Sequence, residues 1–390
     1  MVRRSPAGPT GLPPPHHRDG RAACITGLLS ADWPLAESFI GMDEAQDPKG
    51  GRRMTMRMLA TTVAAMAIAT SVAAQDSMEL QFQSSDNSGT AAFEIQQEWA
   101  ARVGEMSEGR ITVEMLPVGS IVEYNETLDA VGAGILDGHI TDSSYFTGKD
   151  AAFALIGNPV GAYSSPEELR AFFNEGGGTE LYNEILEPYG VHFIGPAAQP
   201  AEAIPSTVPI DSVADLQGVK MRAPEGMVQS VFAAAGAAPV NLPQSEVFTS
   251  LDKGVIAAAD ATTLATNHSM GLHDVALHPI WPGFHSLPLN EVSINADTWE
   301  SLSEEDQQML TESVAWYAET LAERIGQRDE EVAEELRATE GVTIHTWSEE
   351  AKREFRQIAQ EQWAPFAERS ENAQRVYDAL TAHLSAEGLL

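Results

Sequence analysis

The chain has 390 residues, with 23 Lys and Arg against 57 Asp and Glu, a formal charge of −34. That balance argues against a nucleic-acid binder, which needs a basic stripe for phosphates, and against an anionic membrane surface as partner. An apolar share of 43% suits a folded protein with room for two domains, and the single cysteine, Cys24, rules out an internal disulfide framework or a cysteine zinc site.

Arg57 and Met58 precede an apolar run, Leu59–Ala74, of about the length of a secretory h-region. Val72 and Ala74 are the small residues expected at −3 and −1 of a cleavage site. The run is Ala/Thr-rich and short of the roughly 20 strongly apolar residues of a membrane span. Residues 54–74 therefore read as a signal peptide cleaved near Ala74, with Sec export to the periplasm and a mature chain beginning at Gln75. Residues 1–53, rich in Pro, Gly and Arg without periodicity, read as a non-structural or mis-started extension, translation starting at Met54 or Met56. With eight Lys/Arg and six Asp/Glu before Gln75, the 316 residues from there carry 15 and 51, a net −36.

Met78–Gln83 alternates apolar and polar residues, predicting a half-buried strand. Ala91–Met106 sets Phe93, Ile95, Trp99, Ala100 and Val103 at helical spacing, and Ile111–Met115 reads as a strand. A helix over Glu126–Leu136, stopped by Gly138, and a short strand from Ile140 follow. Ser165-Pro166-Glu167-Glu168 has the hydroxyl cap, first-turn proline and carboxylates of a helix start, continuing to Phe173 until Gly176–Gly178 break it. Beyond the strand Val191–Ile194 and a Pro-rich crossing, Gly195–Pro209, come a short helix, Asp211–Leu216, and the strand Val219–Arg222. Val228–Ala235 reads as helix, Pro239–Leu242 as extended, Ser245–Lys253 as helix and Ile256–Ala261 as a small apolar strand. From Ser303 a stripe of Leu310, Val314, Tyr317, Leu321, Ile325, Val332 and Leu336 predicts one helix to Ala338. At 1.5 Å per residue it is roughly 50 Å long, enough to cross two domains. Val342–Trp347 reads as a strand, and Glu349–Ala364 and Ala373–Leu384 as amphipathic helices. The alternation implies an α/β fold with parallel or mixed sheets covered by helices.

No GxSxG, P-loop, HExxH or GxGxxG occurs, which weighs against an enzyme. One constellation stands apart: in Gly218-Val219-Lys220-Met221-Arg222-Ala223-Pro224 a guanidinium ends an apolar strand. Such an arginine is either paired, with Glu225, Glu246 or Asp260 as partner, or free to grip a carboxylate at a domain crevice.

The run from Asp215 to Pro224 resembles the DLKGLKMR(I/V)P signature of solute-binding proteins of tripartite ATP-independent periplasmic (TRAP) transporters. The likeness continues through Ala235–Pro243, Ser245–Phe248 and Leu251–Ile256, while Gly148–Leu155 resembles the GKDPAFALF stretch of the 2-oxo-acid (monocarboxylate) branch. The resemblance implies a two-lobed periplasmic binding-protein clamp with mixed sheets and long helices spanning both lobes, closing on a small organic acid. It divides the mature chain into lobe I, residues 75–200 and 288–325, and lobe II, residues 201–287 and 326–390 with the C-terminal helices. The family's central arginine maps onto Arg222. Its cation-holding Glu-Trp pair maps onto Asp260 and Ala261, and a later Glu onto Glu291, so the carboxylates survive and the indole does not. The branch's Arg-Gln pair after the Val191–Ile194 strand survives only as Gln199, and Tyr145 falls where an aromatic pair borders the ligand.

The expected activity is therefore that of an extracytoplasmic receptor for a 2-oxo acid or other monocarboxylate, held by Arg222, Tyr145, Gln199, Asp260 and Glu291. Asp260 and Glu291 either hold a Ca²⁺ or Na⁺ that bridges to the ligand or bind its hydroxyls or ammonium directly. The implied partners are the carboxylate itself and the TRAP membrane permease subunits, with a homodimer left open and no nucleic acid. An exported acid–base enzyme using Asp260 and Glu291, or a sensory receptor for the same ligands, are the alternatives.

Overall fold

The computed structural model describes residues 77–390; the expected signal peptide and N-terminal extension, with Cys24 and Gln75, lie outside them. The first layer grows from β1 (Met78–Ser84), which pairs in parallel with β2 (Ile111–Leu116) on one side and β3 (Gly138–Asp142) on the other. Between β1 and β2 runs α1 (Ala91–Met106), started by the Thr90 hydroxyl, which accepts from the Phe93 N–H. α2 (Thr127–Gly132) lies between β2 and β3, and after β3 come α3 (Ala152–Gly157), α4 (Pro166–Asn174), α5 (Gly178–Leu186) and β4 (Val191–Ala197). The chain then leaves for a second, all-parallel sheet. Its strands are β5 (Lys220–Arg222), β6 (Ala238–Val240) and β7 (Ala258–Ala259), in the order β6-β5-β7, interleaved with α6 (Met227–Ala234) and α7 (Val247–Asp252). α8 (Leu264–Ser269) follows, and β8 (Asn290–Asn295) returns to the first sheet. There it runs antiparallel between β3 and β4, giving the order β2-β1-β3-β8-β4. α9 (Ala296–Ser301), α10 (Glu304–Ala338), α11 (Glu349–Ala367) and α12 (Glu371–Ala386) complete the chain.

The expected α/β architecture with mixed sheets holds, and so does the long helix. α10 starts at Ser303, whose hydroxyl accepts from the Asp306 N–H, beside three carboxylates in the first turn. Its first half buries Leu310, Val314, Tyr317, Leu321 and Ile325 against α1 and the first sheet, where Trp99 donates its indole N–H to Ser313. Its last turns bury Val332, Ala333 and Leu336 against Ala203, Leu264 and Trp281 near the second sheet. α11 packs on α6 and α3, and α12 on α3 and α5.

Three elements depart from expectation. The helix expected over Glu126–Leu136 stops at Gly132, where a Cβ would meet the Tyr189 carbonyl oxygen at 1.9 Å, and Gly134 turns the chain with φ +66. Gly176–Gly178 are a break, as expected, but a new helix, α5, starts at Gly178 behind them and carries Tyr182. Val342–Trp347 forms no strand, only a parallel bridge between Ile280 and His345.

Asp329 fastens α10 to α8. Its buried Oδ1 accepts the Ala265 N–H at 2.7 Å in the first turn of α8. Burial pushes this carboxyl up to about 7, against the bonds from Ala265 and Leu264 that pull it down. The folded state thus binds the proton more tightly than the unfolded chain, whose ordinary value is 3.8. That contribution to stability is full below about pH 4 and is lost as the pH rises through 7. Chemical denaturation should show stability declining over this range by an amount that Asp329→Asn reduces by a few kcal/mol; equal slopes in the two proteins would refute the assignment.

Candidate ligand and cation site

The carboxyl ends of the parallel strands in both sheets converge on one set of polar side chains. Arg222 is the last residue of β5, and Asp260 follows β7, its N–H bonded to the Arg222 carbonyl at 2.9 Å. From the first sheet, Asp142 ends β3 and Tyr145 lies in the short 3-10 turn Ser143–Phe146 that follows. Charges act across the gap. Burial pushes the Tyr145 phenol well up, with Asp142 adding, Arg222 opposing, and Glu202 and Asp86 adding further. Asp142 rises to about 7, mainly by burial, against two bonds from Ser144 and with help from the charges of Asp260 and Glu291. Open α/β sheets bind ligands at such strand ends.

Arg222 is 9% exposed and partly committed. Nε donates to the Leu242 carbonyl at 3.2 Å and Nη1 to the Asp260 carbonyl at 2.5 Å, and Nη1 lies 3.7 Å from Asp260 Oδ2. The two sequence readings of this residue, paired with Asp260 or open to a ligand, coexist: Nη2 makes no hydrogen bond among the described residues. Tyr145 is half-buried, its ring edge-on to Tyr124 at 4.8 Å. Gln199, in the crossing after β4, buries its Oε1 without a partner among the described residues.

Asp260 is buried and accepts from His285 Nε2 at 2.6 Å. Glu202 completes a cluster in which one ligand atom from each of Glu202, Asp260 and His285 lies within 4.8 Å of the others. Burial would raise Asp260, but the His285 bond, then the charges of His285 and Arg222, hold it below its ordinary value. Glu202 moves the other way, pushed well up by burial and by the charge of Asp260, though a Ser286 bond opposes this. One carboxylate is held charged and its neighbour is driven to keep a proton.

Glu291 does not join this cluster. It lies on β8, wholly buried, accepting from Ser143 Oγ at 2.7 Å and from the Tyr182 hydroxyl, with His139 Nε2 at 2.5 Å from its other oxygen. Asp260 thus has Glu202 and His285 as its cluster neighbours, while the Glu291 oxygens face Ser143, Tyr182 and His139. In β8, Val292 and Ile294 face α1 and α10, which sends Glu291 to the opposite face, among residues of α5 and β3. Neither Glu202 nor His285 carries a sequence signal: both sit in irregular, Pro-rich segments without periodicity.

The chain resembles known proteins over most of its described length. Residues 82–370 match the pattern of the bacterial extracellular solute-binding proteins, family 7. A monocarboxylate 2-oxoacid-binding periplasmic protein of Nostoc is 31% identical over 54% of this chain and 58% of its own length, so the chain matches somewhat more than half of that relative. A TRAP periplasmic solute-binding protein of Rhodobacter sphaeroides, solved in an open, ligand-free form, is 50% identical with a TM-score of 0.70, covering 80% of this chain and 99% of that one. One from Pseudoalteromonas atlantica, solved with sodium and pyruvate, shares the fold at 23% identity and a TM-score of 0.67, over 80% and 95% of the two chains. With its strand ends converging on a buried arginine and the family's pattern running through 82–370, the chain belongs to the bacterial extracellular solute-binding proteins of family 7.

Proposed function

We propose that the protein is the extracytoplasmic receptor of a TRAP transporter, taking a small organic acid anion between the two sheets and delivering it to membrane permease subunits. The observation that carries the reading is Arg222: a buried guanidinium at a strand end, with no hydrogen bond from Nη2 among the described residues, beside the carboxyls of Asp142, Glu202 and Asp260. A guanidinium in such a setting favours the carboxylate of an incoming ligand, and closure would remove the water that screens the pair. Tyr145 can donate its phenol O–H to the acid, and Gln199, whose Oε1 has no partner among the described residues, can accept from a ligand hydroxyl. Ala261 in place of an indole leaves more room than a pyruvate-sized site. A 2-oxo acid or other monocarboxylate is the ligand class, the Nostoc relative being named for such acids.

The sheets support the division into lobe I, 75–200 with 288–325, and lobe II, 201–287 with 326–390, since β1–β4 and β8 fall in the first and β5–β7 in the second. α11 and α12 then bridge back to lobe I through α3 and α5. Cleavage near Ala74 and release to the periplasm complete the reading. An acid–base enzyme needs Asp260 and Glu291 together, and Glu291 is engaged elsewhere. A thermal-shift screen of the exported protein against organic acids tests the proposal. An acid at a hundred times its Kd should stabilise by about 2.7 kcal/mol. A panel in which neutral sugars shift the melting temperature and no acid does would overturn it.

A further inference from the structure

We propose that Tyr124 is a specificity-determining residue of the acid site. With Tyr145 it forms an aromatic wall for the hydrocarbon tail of the ligand, selecting a monocarboxylate with a branched or aromatic side chain over pyruvate. The proposal rests on the receptor reading above and names the ligand class within it. The resemblance implies no role for Tyr124; its placement comes from the three-dimensional arrangement.

Tyr124 lies in the loop 117–126 between β2 and α2. Because β1 runs parallel to both β2 and β3, this loop leaves the same end of the sheet at which β3 delivers Asp142 and Tyr145. The two tyrosine rings meet edge-on at 4.8 Å. The second sheet approaches at the same turn: a Cβ on Gly226, in the loop after Arg222, would lie 3.7 Å from the Thr147 side chain. Tyr145, whose phenol feels the Arg222 charge, thus neighbours both the anchor for a carboxylate and a second aromatic ring. An acid gripped at Arg222 has its tail carried past Tyr145 towards Tyr124.

The loop is fixed before any ligand arrives. Gln83, buried on β1, accepts the Ile121 and Val122 N–H groups at 2.8 and 3.2 Å and donates Nε2 to the Val122 carbonyl at 2.8 Å. The Val118 N–H bonds to the Asp86 carbonyl at 3.0 Å, and the Thr127 hydroxyl donates to the Tyr124 carbonyl at 3.2 Å. Yet Tyr124 remains 42% exposed and Ile121 46%. Apolar surface held in the open beside a polar anchor suits a ligand, since covering a rigid ring loses little ordering entropy. Ala261, next to Asp260, presents a methyl where the resemblance implies an indole, which leaves space for a tail on the side of the second sheet. Charge sets the polarity of that tail. Glu123 and Glu126 flank Tyr124 and Asp142 precedes the Tyr145 turn, so a second carboxylate at the far end would meet like charge.

The test is calorimetry on the exported protein with pyruvate, 2-oxoisocaproate, phenylpyruvate and 2-oxoglutarate, repeated on Tyr124→Ala and Tyr124→Phe. The expected result is that 2-oxoisocaproate or phenylpyruvate binds about tenfold or more tighter than pyruvate, with 2-oxoglutarate weaker than either. Tyr124→Ala should remove most of that preference while pyruvate stays within about threefold of its original Kd. Tyr124→Phe should keep it, because the ring and not the hydroxyl supplies the contact. The melting temperature of the alanine variant should hold, since the side chain is exposed and Gln83 still pins the loop. Pyruvate bound as tightly as both longer acids, or a preference that survives Tyr124→Ala, would overturn the proposal. So would an equal loss for short and long acids in Tyr124→Ala, which would make Tyr124 a prop for Tyr145 rather than a contact of the tail. Binding that depends on Arg222 without regard to the tail removes this proposal and leaves the receptor. Failure of every acid to bind removes the receptor reading, and this proposal with it.

Discussion

Arg222→Ala should weaken binding of the organic acid by about 2–5 kcal/mol, the usual result of removing one partner of a buried charged pair. At about 1.4 kcal/mol per tenfold, that is a loss of roughly thirtyfold to several thousandfold. Arg222→Lys should fall between, because an ammonium keeps the charge but not the paired donors. The same substitution removes the bonds to the Leu242 and Asp260 carbonyls, so the unliganded melting temperature should drop too. Two measurements on one variant separate the roles. A lowered melting temperature with unchanged Kd would make Arg222 a clip joining the β6 and β7 segments, and the carboxylate would need another anchor.

What could be read from the sequence follows from how each element signals itself. α1 and α10 were legible because each carries an apolar stripe at helical spacing, and the stripe of α1 and the first half of that of α10 face the same sheet. β8 was passed over although Glu291–Asn295 alternates polar and apolar residues: all six of its residues are buried, so its polar side chains do not mark the exposed face that such alternation usually signals. The omission had a consequence. Without β8 the face on which Glu291 lies could not be assigned, and a mapping by resemblance placed it beside Asp260. α5, hidden behind three glycines, supplies Tyr182, one of the groups that hold Glu291 instead. Arg222 was legible from its own context, a guanidinium ending an apolar strand. Asp260 was legible as one of three candidate partners of Arg222 and, by resemblance, as a site carboxylate, and Glu202 and His285 were not legible at all. Their chemistry depends on backbone ties among three loops, which leave no mark on local spacing.

Glu291→Ala should produce the largest loss of stability among the variants considered. The carboxylate is wholly buried and accepts from the Ser143 and Tyr182 hydroxyls, with His139 Nε2 beside its other oxygen. Removing it leaves buried polar groups without this partner, and each unsatisfied one costs about 1–3 kcal/mol. A net loss of about 3–5 kcal/mol is expected by denaturant unfolding, with a correspondingly lower melting temperature. Glu291→Gln keeps the volume and one acceptor oxygen, so it should cost about 1–2 kcal/mol. The binding consequences differ in kind. Ser143 opens the turn that carries Tyr145, so the alanine variant should loosen that turn and weaken the ligand indirectly. The glutamine variant, with the turn still anchored, should bind the acid within about threefold of the unaltered protein. If Glu291→Gln instead loses affinity as severely as Arg222→Ala while its melting temperature holds, Glu291 touches the ligand itself. The assignment of β8 as a support behind the site would then have to be withdrawn.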